Sequence, residues 1–243
     1  SGDLVLTQDS TLSGVTLDMD FAVPAAETLR LSSGLTVTAG NALRLQGGAS
    51  SANVLILGDM TLDGPGSLIF EGTTDNNDIR PLFGGIDLVL GPNLIVGAGS
   101  TRGGLIRNFA TVDNQTTIEV LNPGTGLTLA ATVFTNSNTV RTGPNGGNLS
   151  LSGLLNNGLV ETNTGTTTTL LGNWSNPTGT LQVNGGTLNL DGNFSGLGTF
   201  NRPGGAGTVN LTGTFTNTGN VFTFDDTTGV FNFDTGQITG GTL

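Results

Sequence analysis

Apolar and polar residues alternate along most of this chain in runs too short for a helix, and the runs return at a fixed interval. Leu188-Asn-Leu is followed by Asp-Gly-Asn-Phe, and Val209-Asn-Leu by Thr-Gly-Thr-Phe. Val230-Phe-Asn-Phe is followed by Asp-Thr-Gly, and the three starts, at positions 188, 209 and 230, are evenly spaced. Alternation at period two places successive side chains on opposite faces of a strand. A unit of this size cannot bury its apolar face alone, so a fixed period predicts a solenoid in which each coil covers the next.

Starts at Leu127, Leu149, Leu170, Leu188, Val209 and Val230 define regular coils over 127–243. A looser form occupies 1–110, opening at Leu4-Val-Leu, Leu29-Arg-Leu, Val54-Leu-Ile-Leu and Leu88-Val-Leu. Second strands follow at Leu35, Met60 and Leu94, and third strands are expected at Leu43-Arg-Leu and Leu68-Ile-Phe. The step from Val54 to Leu88 is clearly longer than that from Leu29 to Val54, which predicts an insertion. Residues 73–85, polar, Asn/Asp-rich and interrupted by Pro81, read as a loop leaving the wall. Insertions in repeat proteins gather on one face, often the binding face, so this segment is the first place to seek a site.

The expected fold is therefore all-β: one continuous single-stranded parallel β-helix over 1–243, with roughly ten coils and right-handed by the general rule for parallel crossovers. A leucine-rich repeat would need a helical segment per unit; a β-sandwich, with strands at similar spacing, is the alternative, and the persistence of one motif in one phase favours the β-helix. Parallel stacking sets like residues above like. Trp174 shares its coil position with Phe194 and Phe215 and is expected inside, and Asn136, Asn157, Asn176 and Asn217 are expected to form turn ladders.

Composition narrows the function. The 41 glycines suit tight turns and short strands rather than helices. Cys, His, Tyr and Lys are absent, so the chain has no disulfide framework, no thiolate metal site and no His or Lys to activate a Ser or Thr nucleophile. A net charge of −11 argues against nucleic acid and anionic lipid as partners. No apolar run approaches the roughly 18 residues that span a bilayer. The opening Ser1-Gly2, in place of Met, is read as the edge of a fragment excised from a longer protein, with any export signal or anchor outside it.

The units Gly153-Leu-Leu-Asn-Asn-Gly-Leu-Val and Gly213-Thr-Phe-Thr-Asn-Thr-Gly-Asn-Val resemble coils of bacterial surface β-helices. Such coils occur in autotransporter passengers, filamentous-haemagglutinin-like adhesins and very large cell-surface repeat proteins. The resemblance covers mainly 127–243. It implies a right-handed β-helix acting as a stalk, adhesin rod or surface fibre, outside the cell and without catalysis. Surface glycans, or neighbouring copies or domains of the parent protein, would be its partners. A separate reading, an end-to-end or lateral assembly module, would show as an uncapped apolar coil at one terminus, with Phe231 and Phe233 as its candidates.

The alternative is a carbohydrate-binding or polysaccharide-degrading β-helix. Asp225-Asp226 resembles the adjacent aspartates of polygalacturonase-like hydrolases, but the Gly-His-Gly and Arg-Ile-Lys segments of those enzymes are missing, and a turn before Thr-Thr-Gly explains the pair better. For ligand binding the candidates are Asp75, Asp78, Arg80 and Arg102 in and beside the 73–85 segment. For a metal they are Asp18 and Asp20, which share a face by alternation, with Asp59 and Asp63 on a later coil. Hard oxygen ligands of this kind could hold calcium weakly. No cofactor is expected.

Overall fold

A computed structural model describes residues 3–226 and 228–243. Ser1 and Gly2, on which the reading of an excised fragment rests, lie outside the described residues. The chain is a parallel β-solenoid of about ten turns, with one short 3₁₀ turn at Pro203–Gly205. Ladders between successive coils run without a break from Leu4 to Thr239. Each coil presents three wall segments. One belongs to a ten-stranded sheet; the other two, separated by a bend, form a second sheet of 17 strands.

One internal column defines the coil length. Leu29, Val54, Ile79, Ile106, Leu129, Leu151, Leu170, Leu190 and Leu211 stand one above the other, each at most 1% exposed. The shortest step, Leu151 to Leu170, and the longest, Ile79 to Ile106, rise by the same spacing of neighbouring strands, about 4.8 Å. Chain-length differences are taken up at corners, so the column keeps its register.

This column corrects two sequence expectations. The coil after Val54 begins at Ile79, because Leu88 belongs to the next wall, paired with Met60 and Val112. The apparent long step to Leu88 is a change of wall, and residues 77–81 are not a loop: Asn77–Pro81 is a strand of the large sheet. Its pattern is faint in the sequence because Asn77 and Asp78 are polar yet buried, leaving Ile79 as the one apolar signal. Farther on, Leu149 pairs with Thr168 rather than Leu170, and Val209 with Phe231 rather than Val230. Thr168 therefore occupies an inward, fully buried place, and Val230 is 77% exposed.

The aromatic stack forms as expected. Trp174 is 4% exposed and lies on Phe194 with centroids 4.1 Å apart, and Phe194 lies on Phe215 at 5.1 Å. The Trp174 Nε1–H donates to the carbonyl of Asp191 at 2.7 Å. Because Trp174 is the sole tryptophan, its emission reports this stack alone. We expect a blue-shifted spectrum that acrylamide quenches poorly until the β-sheet circular dichroism melts. Trp174→Leu is expected to cost about 2–4 kcal/mol, by loss of the stack and of the partner of Asp191. Strong quenching of the native protein would show that the indole is not packed between coils.

The amide ladder also forms, displaced by one residue. Asn114, Asn136, Asn156 and Asn176 are all fully buried, and the Nδ2 of each of the first three donates to the Oδ1 of the next at 2.7–2.8 Å. Asn156, not Asn157, is the member; Asn157 turns outward and accepts from Thr178 at 3.0 Å. Gly196 takes the rung after Asn176, which donates to the carbonyl of Leu197 instead. Asn217 is buried beyond that gap and donates to the carbonyls of Asn220 and Thr242.

Candidate functional site

The strand Asn77–Pro81 is fixed by its first residue. Asn77 accepts from the backbone N–H of Gly47 at 2.8 Å and donates to the carbonyls of Glu71 at 3.2 Å and Gly103 at 2.8 Å. It thus joins the coils before and after its own. Thr74 and Asn76 donate to the carbonyl of Gly48 at 2.7 and 2.9 Å, so the polar run 73–76 is a corner of the wall. The Asp75 carboxylate accepts from the Gly103 N–H at 2.7 Å.

Ile79 points inward, so its neighbours Asp78 and Arg80 face out. Ile79 stands opposite Ile106 on the next coil, which sets Arg107 on the rung after Arg80. Arg107 binds Asp78 through two parallel hydrogen bonds, Nε to Oδ1 at 3.0 Å and Nη2 to Oδ2 at 2.9 Å. Arg80 approaches Oδ2 from the same strand as Asp78, through Nη1. The carboxylate is only 3% exposed, whereas the side chains of Arg80 and Arg107 are 36% and 41% exposed. The hydrogen bond to Asp78 and its charge together raise the Arg107 pKa, against the opposing effect of burial.

Of the expected ligand group, the structure therefore brings Asp78 and Arg80 together and adds Arg107. Asp75 lies on the corner just before this strand, with its carboxylate on the Gly103 N–H. Arg102 directs its Nε to the carbonyl of Gly72 at 3.4 Å and, among the described residues, forms no ion pair with Asp75 or Asp78. Arg107 is hidden in the sequence because it is far along the chain from Asp78, and only the true coil length sets it alongside.

Next to this triad lies a groove of about 390 Å³ along the outer face of the wall. Asp75, Leu105, Thr128, Asn148, Ser150 and Thr169 are among its lining residues. Asp78, Leu105, Thr128, Ser150 and Thr169 form one outward column, rung above rung. Farther along, the same column continues as Asn189, Asn210 and Asn232, whose amides bond one another at 2.8 and 3.1 Å.

The four metal candidates are not brought together. Asp18 accepts from the Thr38 hydroxyl at 2.9 Å, and Asp20 from the Ala42 N–H at 2.8 Å and from Arg44 at 3.0 Å. Asp59 accepts from the Asp87 N–H at 2.9 Å and Asp63 from the Asn93 N–H at 3.2 Å. Each carboxylate thus caps the following coil. Among the described residues no three His, Cys, Asp or Glu side chains are grouped closely enough to hold a metal ion.

Asp225 closes its own turn: its Oδ1 accepts from the Thr228 N–H at 3.0 Å and its carbonyl from the Gly229 N–H at 2.7 Å. Arg202, 6% exposed on the adjoining corner, donates to the carbonyls of Ala206 at 2.9 Å and Val230 at 2.6 Å, and burial lowers its pKa. Phe231 is buried against Phe200, Phe222 and Phe224, while Phe233 is 52% exposed. No helix among the described residues is long and apolar enough to cross a membrane. No protein-family model, curated protein or solved structure matches this chain.

Proposed function

We propose that this chain is a stiff, acidic, non-catalytic rod: a structural segment of an extracellular surface protein that holds other elements at a fixed distance. One observation supports the reading most strongly. Polar side chains along the coils are engaged in bonds between successive turns, as in the Asn114 to Asn176 ladder and the Asp20, Asp59, Asp63 and Asp75 caps. Carboxylates tied to backbone N–H groups stiffen a solenoid and are poorly placed to move protons. The surface location follows from the resemblance to bacterial surface β-helices, with a Thr/Asn/Gly exterior and no Cys in support.

The test is incubation of the purified chain with a broad polysaccharide panel, with calcium and with chelator, while products are sized. No shortening of any substrate is expected, and X-ray scattering should give a particle about 50 Å long, ten coils at about 4.8 Å each. Release of shorter products would overturn the rod reading in favour of a polysaccharide-degrading one.

A further inference from the structure

The Arg80–Asp78–Arg107 triad carries a charge imbalance that a spacer does not need. Carboxylates outnumber guanidinium groups 18 to 7 in this chain, and the other ion-paired arginines among the described residues are fully compensated. Arg30 pairs with Asp9, Arg141 with Glu119, and Arg44 with both Asp20 and Glu71. Only at Asp78, among the described residues, do two arginines share one carboxylate. Like charges on adjacent rungs repel, and one buried anion offsets only one of them.

Donors remain available. A guanidinium has five N–H groups in a fixed fork. Arg107 commits Nε and Nη2 to Asp78, and Arg80 commits Nη1. The next rungs of the Arg107 column carry Ala130 and Ser152, which are too short to cover the guanidinium. Asp78 holds both side chains in place, so an incoming oxyanion meets a preorganised pair rather than two mobile chains.

We propose that Arg80 and Arg107 bind the carboxylate or sulfate of an acidic glycan whose adjoining sugar units lie in the groove over Leu105, Thr128, Ser150 and Thr169. The oxyanion takes the free guanidinium N–H groups, which match its geometry. The hydroxyls of Thr128, Ser150 and Thr169, about 4.8 Å apart along the axis, exchange hydrogen bonds with sugar hydroxyls. The Asp75 carboxylate at the groove edge accepts from a sugar hydroxyl. From the Arg107 rung to the Thr169 rung is three steps, about 14 Å, so the groove takes a short oligomer rather than a single sugar. The net charge of −11 does not forbid this, since at 0.15 M salt the screening length is about 8 Å and the triad itself carries two guanidinium groups against one carboxylate.

The experiment is calorimetry at 0.15 M salt with the full chain. Its probes are glucuronate-containing oligomers, sulfated chondroitin oligomers, neutral malto-oligomers, and acetate and inorganic sulfate alone. We expect acidic oligomers to bind at least tenfold more tightly than neutral ones and than the free anions. Preference between the carboxylate-only and the sulfated oligomers identifies the natural oxyanion. Arg107→Gln should weaken acidic-oligomer binding at least tenfold, and raising the salt should weaken it further.

Ser150→Phe, which fills the groove, should abolish the advantage of oligomers over free anions. Arg30→Gln, in the same column but compensated by Asp9, should leave affinity unchanged. If Arg107→Gln does not fold, Arg80→Gln, which removes a single contact to Asp78, serves the same purpose. Equal binding of neutral and acidic oligomers, no binding of either, or unchanged affinity in a folded Arg80 or Arg107 variant would overturn the proposal. None of these outcomes bears on the rod reading, which is decided by product release and particle length.

Discussion

Gly192→Ala is expected to destabilise the protein by roughly 3–5 kcal/mol, enough to unfold part of the solenoid at moderate temperature. Two effects add. Gly192 has φ +70, in the left-handed region, where a Cβ costs about 1–2 kcal/mol. A Cβ there would also overlap the carbonyl oxygen of Gly172, its counterpart one coil earlier. That obstacle is backbone already fixed in the ladder, so relief requires the two coils to part. Gly204 separates the two effects: its φ is +64, but nothing lies within 4 Å of an added Cβ. Gly204→Ala should therefore cost only about 1–2 kcal/mol, the conformational part. The check is urea unfolding of both variants followed by circular dichroism. Equal losses would mean that close approach at this corner is not what requires glycine.

Asn136→Leu is expected to cost roughly 3–5 kcal/mol despite its similar volume and its burial, because several polar partners lose their bonds at once. The native amide accepts from Asn114 at 2.8 Å and donates to Asn156 at 2.7 Å and to the carbonyl of Leu159 at 3.1 Å. Leucine would strand partners on both adjoining coils, and an unsatisfied buried polar group costs about 1–3 kcal/mol. Asn193 provides the comparison, because it donates to Asn173 at 3.3 Å on the exposed side of the wall. There water replaces the lost partner, and Asn193→Leu should stay within about 0.5 kcal/mol of the parent. Thermal melts of the two variants decide the matter; similar melting temperatures would show that the internal ladder adds no stability.

The fold was legible because solenoid coils repeat their inward residues, and Leu188, Val209 and the Trp174–Phe194–Phe215 positions carry that repetition openly. The amide ladder was legible as a principle but not to the residue. Asn156 and Asn157 are adjacent asparagines, and only the register with Asn136 and Asn176 distinguishes the inward one. The candidate site was half legible. Asp78 and Arg80 stand out as charges close together in sequence, but Arg107 joins them across the longest coil of the column, Ile79 to Ile106. Counting from Leu88 misassigned the wall and hid that length. Buried polar residues at inward or covered positions, such as Asn77, Asp78 and Thr168, break the apolar alternation on which periodicity reading depends.

The internal column from Leu29 to Leu211 also constrains how such a molecule can change over evolutionary time. Because every inward side chain takes its surroundings from the coils directly above and below, the wall changes by whole coils, while residues gained or lost at a corner leave the column in place. Removing one complete repeat, for instance from Thr168 up to the residue before Leu188, returns every later residue to an equivalent place. Removing half of one would set each later residue on a different wall from its counterpart in the coil below. Duplication and loss of whole coils would therefore lengthen or shorten the molecule in increments of about 4.8 Å. The outward columns would be carried along intact, so that reach could vary among descendants while the face presented to a partner stayed the same.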